Sequence, residues 1–161
     1  MKSRTVSNTH VGAIAGALPV LIGWAAVEGT ASLKLGGGGL AFTLFAIVFL
    51  WQFPHFMAIA WIYRSQYTGA GMKMLPAVDD DGRRSGGLAV MTAALLIPVS
   101  LLPALQSAGQ IYIVATLILG IAYLVASVLY CGHRNDRSAR RLLLTSLVYL
   151  PAVLCLYVLA L

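Results

Sequence analysis

The sequence predicts an all-α, polytopic transmembrane helical bundle, and three observations predict it. Of the 161 residues, 60% are apolar and 10% charged. Mean hydropathy is +0.86. The apolar residues also fall in blocks close to the ~20 residues that a helix needs to cross roughly 30 Å of hydrocarbon. A soluble globule of this length has too little interior to hide so much apolar surface.

Five spans are expected, at 11–27, 40–62, 88–105, 111–131 and 142–161, in a single domain covering residues 1–161. The first follows the charged leader MKSRTVSNTH and has the charge-then-apolar order of a secretory signal. Its apolar run, VGAIAGALPVLIGWAAV, outlasts a signal core of about 7 to 15 residues, and no small-residue cleavage site precedes soluble sequence, so it reads as a span. The leader itself resembles a loop between helices. The spans are separated by LGGGG (35–39), a long polar loop from Tyr63 to Gly87, SAGQ (107–110) and the basic GHRNDRSARR (132–141).

Sidedness follows from lysine and arginine, because basic loops stay in the cytoplasm. Lys2, Arg4, Arg64, Lys73, Arg83, Arg84, Arg134, Arg137, Arg140 and Arg141 fall on one side, and Lys34 alone on the other. The expected arrangement in the cell (inner) membrane puts the N-terminus and loops 63–87 and 132–141 in the cytoplasm and the C-terminus outside. The net charge of +6 is spread singly or in pairs, without a basic face or a nucleic-acid motif, so nucleic acid is not an expected partner. Cys131 and Cys155 lie far apart without metal-type spacing and read as small core thiols.

Gly12 and Gly16, with Ala13 and Ala17 beside them, would let a neighbouring helix approach the first span closely. Pro19, Pro98, Pro103 and Pro151 are expected to bend their helices. The second span holds the densest chemistry, FLWQFPHFMAIAWIYR, in which Gln52 and His55 lie three residues apart on one face. Pro54 cannot donate to the carbonyl of Leu50, which leaves that oxygen open to another partner. His55 reads equally as a histidine bonded to a neighbouring helix or as a ligand or proton-transfer group on a pocket floor. Trp51, Phe53, Phe56, Trp61 and Tyr63 serve either as walls for a flat or isoprenoid ligand or as interfacial aromatics. Arg64 and Lys73 sit at the membrane surface, where cations anchor a helix end or meet a phosphate or carboxylate. Asp79, Asp80 and Asp81 are three of five acidic residues, and are read either as solvated loop residues or as a weak Mg²⁺ site. No Walker loop, GxSxG, HExxH or CxxC occurs, nor the intramembrane carboxylate chain of proton-driven carriers.

Three strings resemble the protoheme IX farnesyltransferases (haem O synthases), membrane prenyltransferases related to the ubiquinone-pathway enzymes. They are KSRTVSNTHVGAIAGALPVLIGW, LFAIVFLWQFPHFMAIAWIYRSQYTGAGMKMLP and the helical tail. The middle one is specific: Trp-Gln-x-Pro-His-Phe, then Trp-x-Tyr-Arg, then Ala-Gly-x-x-Met-Leu-Pro. The resemblance covers the whole chain, yet the chain resembles only the last five of about nine spans in such enzymes.

The resemblance implies transfer of a farnesyl group from farnesyl diphosphate to a vinyl group of haem B, giving haem O. Implied with it are Mg²⁺ as cofactor, the lipid bilayer as solvent, and haem A synthase or terminal oxidase assembly as partners. Carried over by position, Lys2, Arg4, Thr5 and Asn8 enter the first span at the cytoplasmic mouth. Gln52, Pro54 and His55 line the pocket, and Tyr63, Arg64, Tyr67 and Lys73 belong to a loop over it. The implied roles are diphosphate or haem-propionate contact for Arg4, Arg64 and Lys73, and haem contact or proton transfer for His55. Two departures stand out. The family's first aspartate-rich motif is absent from these residues, and Gln66 stands where Tyr-Arg-x-Asp-Tyr has aspartate. The isolated chain is therefore expected to be inactive, or to depend on a missing half. A small membrane carrier, which gives no reason for the Tyr-Arg to Met-Leu-Pro string, and a non-catalytic scaffold are the alternatives.

Overall fold

The computed structural model describes residues 8–28, 38–71, 79, 82–105 and 109–160. They form α1 (Asn8–Glu28), α2 (Gly38–Ile62), a short α3 (Arg64–Gly69), α4 (Arg83–Leu101), a 3₁₀ turn (Leu102–Leu105), α5 (Gln110–His133) and α6 (Asp136–Ala160). No strand occurs among the described residues. Four segments are long and apolar enough to cross a bilayer: Gly39–Ile62, Arg83–Ala104, Gln110–His133 and Asp136–Leu159. The apolar stretch of α1, Gly12–Val27, is shorter. The protein is a multi-pass helical membrane protein.

α2, α4, α5 and α6 close a ring in which α2 packs on α4, α4 on α5, α5 on α6, and α6 back on α2; α1 joins by packing on α2. The distribution of side chains is that of a bundle solvated by lipid. On α5 the buried face is Tyr112, Thr116, Gly120, Tyr123, Ala126, Ser127 and Tyr130. Its exposed face is Ile111, Val114, Ile118, Ile121, Val125 and Val128. Aliphatics outside and hydroxyls inside invert the soluble pattern, because lipid accepts the aliphatics and cannot hydrogen-bond the hydroxyls.

Small residues set the helix spacing. α4 turns Ser85, Gly86, Ala89, Thr92, Ala93 and Ser100 inward. A Cβ on Gly86 would sit 2.9 Å from the Cα of Cys131, and one on Gly120 would sit 2.9 Å from Ile97 Cγ1. On α1, Ala13 and Ala17 are fully buried, and a Cβ on Gly16 would lie 2.6 Å from Gln52 Oε1, whereas nothing lies within 4 Å of Gly12. The close approach therefore uses Ala13, Gly16 and Ala17 rather than the Gly12–Gly16 pair.

Two helices start earlier than hydrophobicity predicts, α4 at Arg83 rather than Leu88 and α6 at Asp136 rather than Leu142. Capping explains both. The Asp79 carboxylate accepts the Ser85 N–H at 2.8 Å, and the chain enters α4 through Gly82 in a left-handed conformation, φ 64°. A side chain there would meet Trp61 at 2.7 Å. Ahead of α6, Asn135 Oδ1 accepts the Ser138 N–H at 2.8 Å while Ser138 Oγ accepts the Asn135 N–H at 3.3 Å, a reciprocal cap, with Asp136 in the first turn. The polar loop is likewise shortened by α3. α1, α2, α4 and α6 run through Pro19, Pro54, Pro98 and Pro151, and Pro103 lies in the 3₁₀ turn that follows α4.

Gly86→Ala is expected to lower thermal stability in detergent by about 1–3 kcal/mol, the usual cost of overpacking. Gly87→Ala, where nothing lies within 4 Å, serves as the control and is expected to cost nothing. Equal melting of the two variants would show that the α4–α5 contact is not tight.

Candidate functional site

The polar face of α2 meets α6 at one residue, the fully buried Ser146. The Trp51 indole N–H donates to the Ser146 carbonyl at 2.8 Å, and His55 Nδ1 lies 2.7 Å from Ser146 Oγ. Ser146 Oγ in turn donates to the Leu143 carbonyl at 2.6 Å. Trp51 stacks on His55 with centroids 4.7 Å apart and planes 23° from parallel. From α5, the Tyr123 hydroxyl donates to the Trp51 carbonyl at 3.0 Å, and its ring stacks on Tyr149 of α6 at 5.1 Å. Pro54 creates the opening at Leu50, yet the carbonyl that recruits Tyr123 is the next one along.

One helical turn from this junction, Gln52 is 4% exposed and wedged against Gly16 of α1. Its Oε1 has no hydrogen-bond partner among the described residues. A buried amide oxygen left unpaired costs about 1–3 kcal/mol, so it marks a place where a donor belongs.

A second cluster gathers where α2 ends and α4 and α6 begin. Arg64 Nη1 bonds the Trp61 carbonyl at 2.8 Å and the Asp136 carboxylate at 2.7 Å, and the guanidinium lies 4.9 Å from the Trp61 ring centroid. Trp61 meets Tyr130 edge-on at 5.9 Å. Trp61 Nε1 and the Tyr130 hydroxyl are buried without partners among the described residues. Both sides of the Arg64–Asp136 pair are about half exposed, so the pair itself contributes only ~0–1 kcal/mol and is easily exchanged for another anion.

The expected site residues thus divide into two groups and a remainder. Gln52, Pro54 and His55 lie in the membrane part of α2, but Gln52 meets α1 and His55 meets α6, so the expected shared face of Gln52 and His55 divides between two neighbours. Arg64 lies at the helix end with Tyr63 and Tyr67, of which Tyr63 is exposed and Tyr67 half-buried. Gln66 is exposed on α3. Asn8 is the first residue of α1. Lys2, Arg4, Thr5, Lys73, Asp80 and Asp81 lie outside the described residues. Asp79 serves as a helix cap, and no group of three His, Cys, Asp or Glu among the described residues is placed to hold a metal ion. Two open grooves of about 300 and 560 Å³ between α5 and α6 include none of the expected site residues.

Sequence reasoning missed Ser146, Tyr123 and Asp136, because their partners are 72 to 95 residues away. A serine in an aliphatic run, TSLVYL, is the one local hint of a polar helix contact. A third polar set also escaped notice: the Tyr112 hydroxyl donates to the Ser100 carbonyl at 2.7 Å, and the hydroxyls of Thr116, Tyr149 and Tyr157 are buried without partners among the described residues.

Comparison with known proteins identifies the family. The UbiA prenyltransferase family profile matches residues 1–156. The chain is 46% identical over 154 residues to a protoheme IX farnesyltransferase of Solibacter usitatus, covering 95% of this chain and 51% of the relative. It is 41% identical over 157 residues to that of Salinibacter ruber, covering 97% and 53%. For that of Koribacter versatilis the figures are 42% over 151 residues, covering 89% and 47%. The chain spans about half the length of the curated relatives it matches. No solved structure matches. The chain belongs to the UbiA prenyltransferase family.

Proposed function

We propose that this chain supplies the C-terminal half of a protoheme IX farnesyltransferase, which transfers farnesyl from farnesyl diphosphate to a vinyl group of haem B and so makes haem O for haem A synthase or a terminal oxidase. One observation carries the reading. Arg64 stands just past the end of α2 at Ile62, and His55 lies seven residues before that end, about 10 Å deeper at 1.5 Å per residue. Farnesyl diphosphate has the same division, a dianionic or trianionic head and an apolar tail. The head suits cations at the membrane surface, and the allylic carbon then lies among the rings of Trp51, Phe53 and Phe56.

The chemistry assigns different tasks to the two depths. The allylic C1–O bond breaks and diphosphate leaves with the electron pair. C1 bonds to the terminal vinyl carbon, which moves the positive charge to the inner vinyl carbon. Water adds there and loses one proton, giving the hydroxyethylfarnesyl side chain. Arg64, with Arg4 and Lys73, stabilises the departing charge, which is the term that usually lowers such barriers most. His55 takes the proton from water through Nε2. Gln52 offers its unpaired Oε1 to a donor on the substrate or on that water. Mg²⁺, when bound with diphosphate, would neutralise further charge, and the ligands implied by the family resemblance lie outside this chain. Tyr63, Tyr67 and Asn8 are proposed to line the mouth.

The proposed sidedness puts this mouth in the cytoplasm of a cell membrane. The clustering of Arg64, Gly82, Arg134 and Asp136 around Trp61 supports a common side for both basic loops.

The test joins this chain to the first half of the Solibacter usitatus relative and assays haem O formation in membranes. Within that full-length protein, His55→Ala is expected to lower kcat about a hundredfold or more. Full activity would remove His55 from the site. Asp136→Asn is expected to change stability by less than ~1 kcal/mol. By releasing Arg64 and removing an adjacent negative charge, it should also lower KM for farnesyl diphosphate by up to about fivefold. An unchanged or higher KM would argue that Arg64 does not meet the diphosphate.

A further inference from the structure

A serine hydroxyl has one hydrogen and two acceptor lone pairs. In Ser146 the hydrogen is committed, because the Leu143 carbonyl 2.6 Å away can only accept. The 2.7 Å contact to His55 is therefore one in which Nδ1–H donates and Ser146 Oγ accepts. In neutral imidazole this leaves the lone pair on Nε2, to which no described residue donates. Ser146 also holds the ring next to it, since its carbonyl takes the Trp51 indole N–H and Trp51 stacks on the imidazole. One buried residue of α6 thus fixes the tautomer, and through Trp51 the plane, of a histidine on α2.

We infer that Ser146 is a positioning residue for the transfer reaction: it keeps His55 protonated at Nδ1 so that Nε2 faces the substrate as a proton acceptor. The inference rests on the role proposed for His55. Without the Oγ acceptor, Nδ1–H would have no partner at a depth where an unpaired donor costs about 1–3 kcal/mol, and the ring would gain by moving the proton to Nε2 or by turning. Either change removes the base without touching the binding of diphosphate or haem. Groups that hold a metal-bound histidine in one tautomer matter by about 10- to 100-fold, and a loss of that order is expected here.

The experiment uses the full-length joined protein in lipid bilayers and reads two quantities, the ¹⁵N shifts of His55 and the steady-state kinetics. The parent protein should show Nδ1 protonated and Nε2 unprotonated. Ser146→Ala should shift the proton toward Nε2 and lower kcat 10- to 100-fold with both KM values unchanged, and Ser146→Thr, which keeps Oγ, should restore both. If Ser146→Ala does not fold, Ser146→Cys, a weak acceptor, should give an intermediate tautomer ratio and an intermediate kcat. An unprotonated Nδ1 in the parent would overturn the inference, as would a variant whose tautomer changes while kcat does not. Full activity of His55→Ala is a different failure, that of the proposed catalytic role itself.

Discussion

The bundle depends on the contact between α2 and α6 at Ser146. α4 and α5 are joined by small residues, and small residues tolerate some sliding because they offer no directional bond. The contact at Ser146 does not. A carbonyl, a hydroxyl, an indole N–H and an imidazole must coincide within hydrogen-bond distance, and Tyr123 ties α5 to the same turn through the Trp51 carbonyl. In hydrocarbon no water replaces a lost partner, so each of these bonds restricts where the helix can slide. Closing α6 back on α2 completes the ring, and it also sets the depth at which His55 is presented.

The two polar clusters follow from that closure. With α2 and α6 in register, the end of α2 meets the start of α6, and Arg64 reaches Asp136 at the surface. The interior cluster is built from short, buried, directional contacts, while the surface cluster is a half-exposed ion pair stacked on Trp61. Rigidity inside and exchangeability at the helix end suit the proposed reaction, which needs a fixed base and a replaceable anion.

Much of this was legible in the sequence. Apolar block length gave the spans, and the string from Trp51 to Pro76 singled out the α2 face and the residues beyond it. The helix starts at Arg83 and Asp136 were also written in the chain, as Asp79 before Gly82 and as the Asn-x-x-Ser pair at 135–138, but hydrophobicity ignores caps. Two further features were not legible. The exposed or paired state of Arg64 depends on Asp136, and the environment of His55 depends on Ser146, each distant in sequence. In the proposed mechanism a structural and a functional His55 are not alternatives, for the same reason. Its Nδ1 is spent on a structural bond, and that bond is what leaves Nε2 available.

The most direct measurement of the α2–α6 contact is a solid-state NMR dipolar experiment in lipid bilayers, between ¹⁵Nδ1 of His55 as the one labelled histidine and ¹³Cβ of Ser146. A serine Cβ is one bond beyond Oγ, so the 2.7 Å hydrogen bond requires strong dephasing, at a separation of about 4 Å or less. No dephasing in a folded, membrane-inserted protein would mean that α2 and α6 do not meet at Ser146, and the ring and the site built on it would both fail.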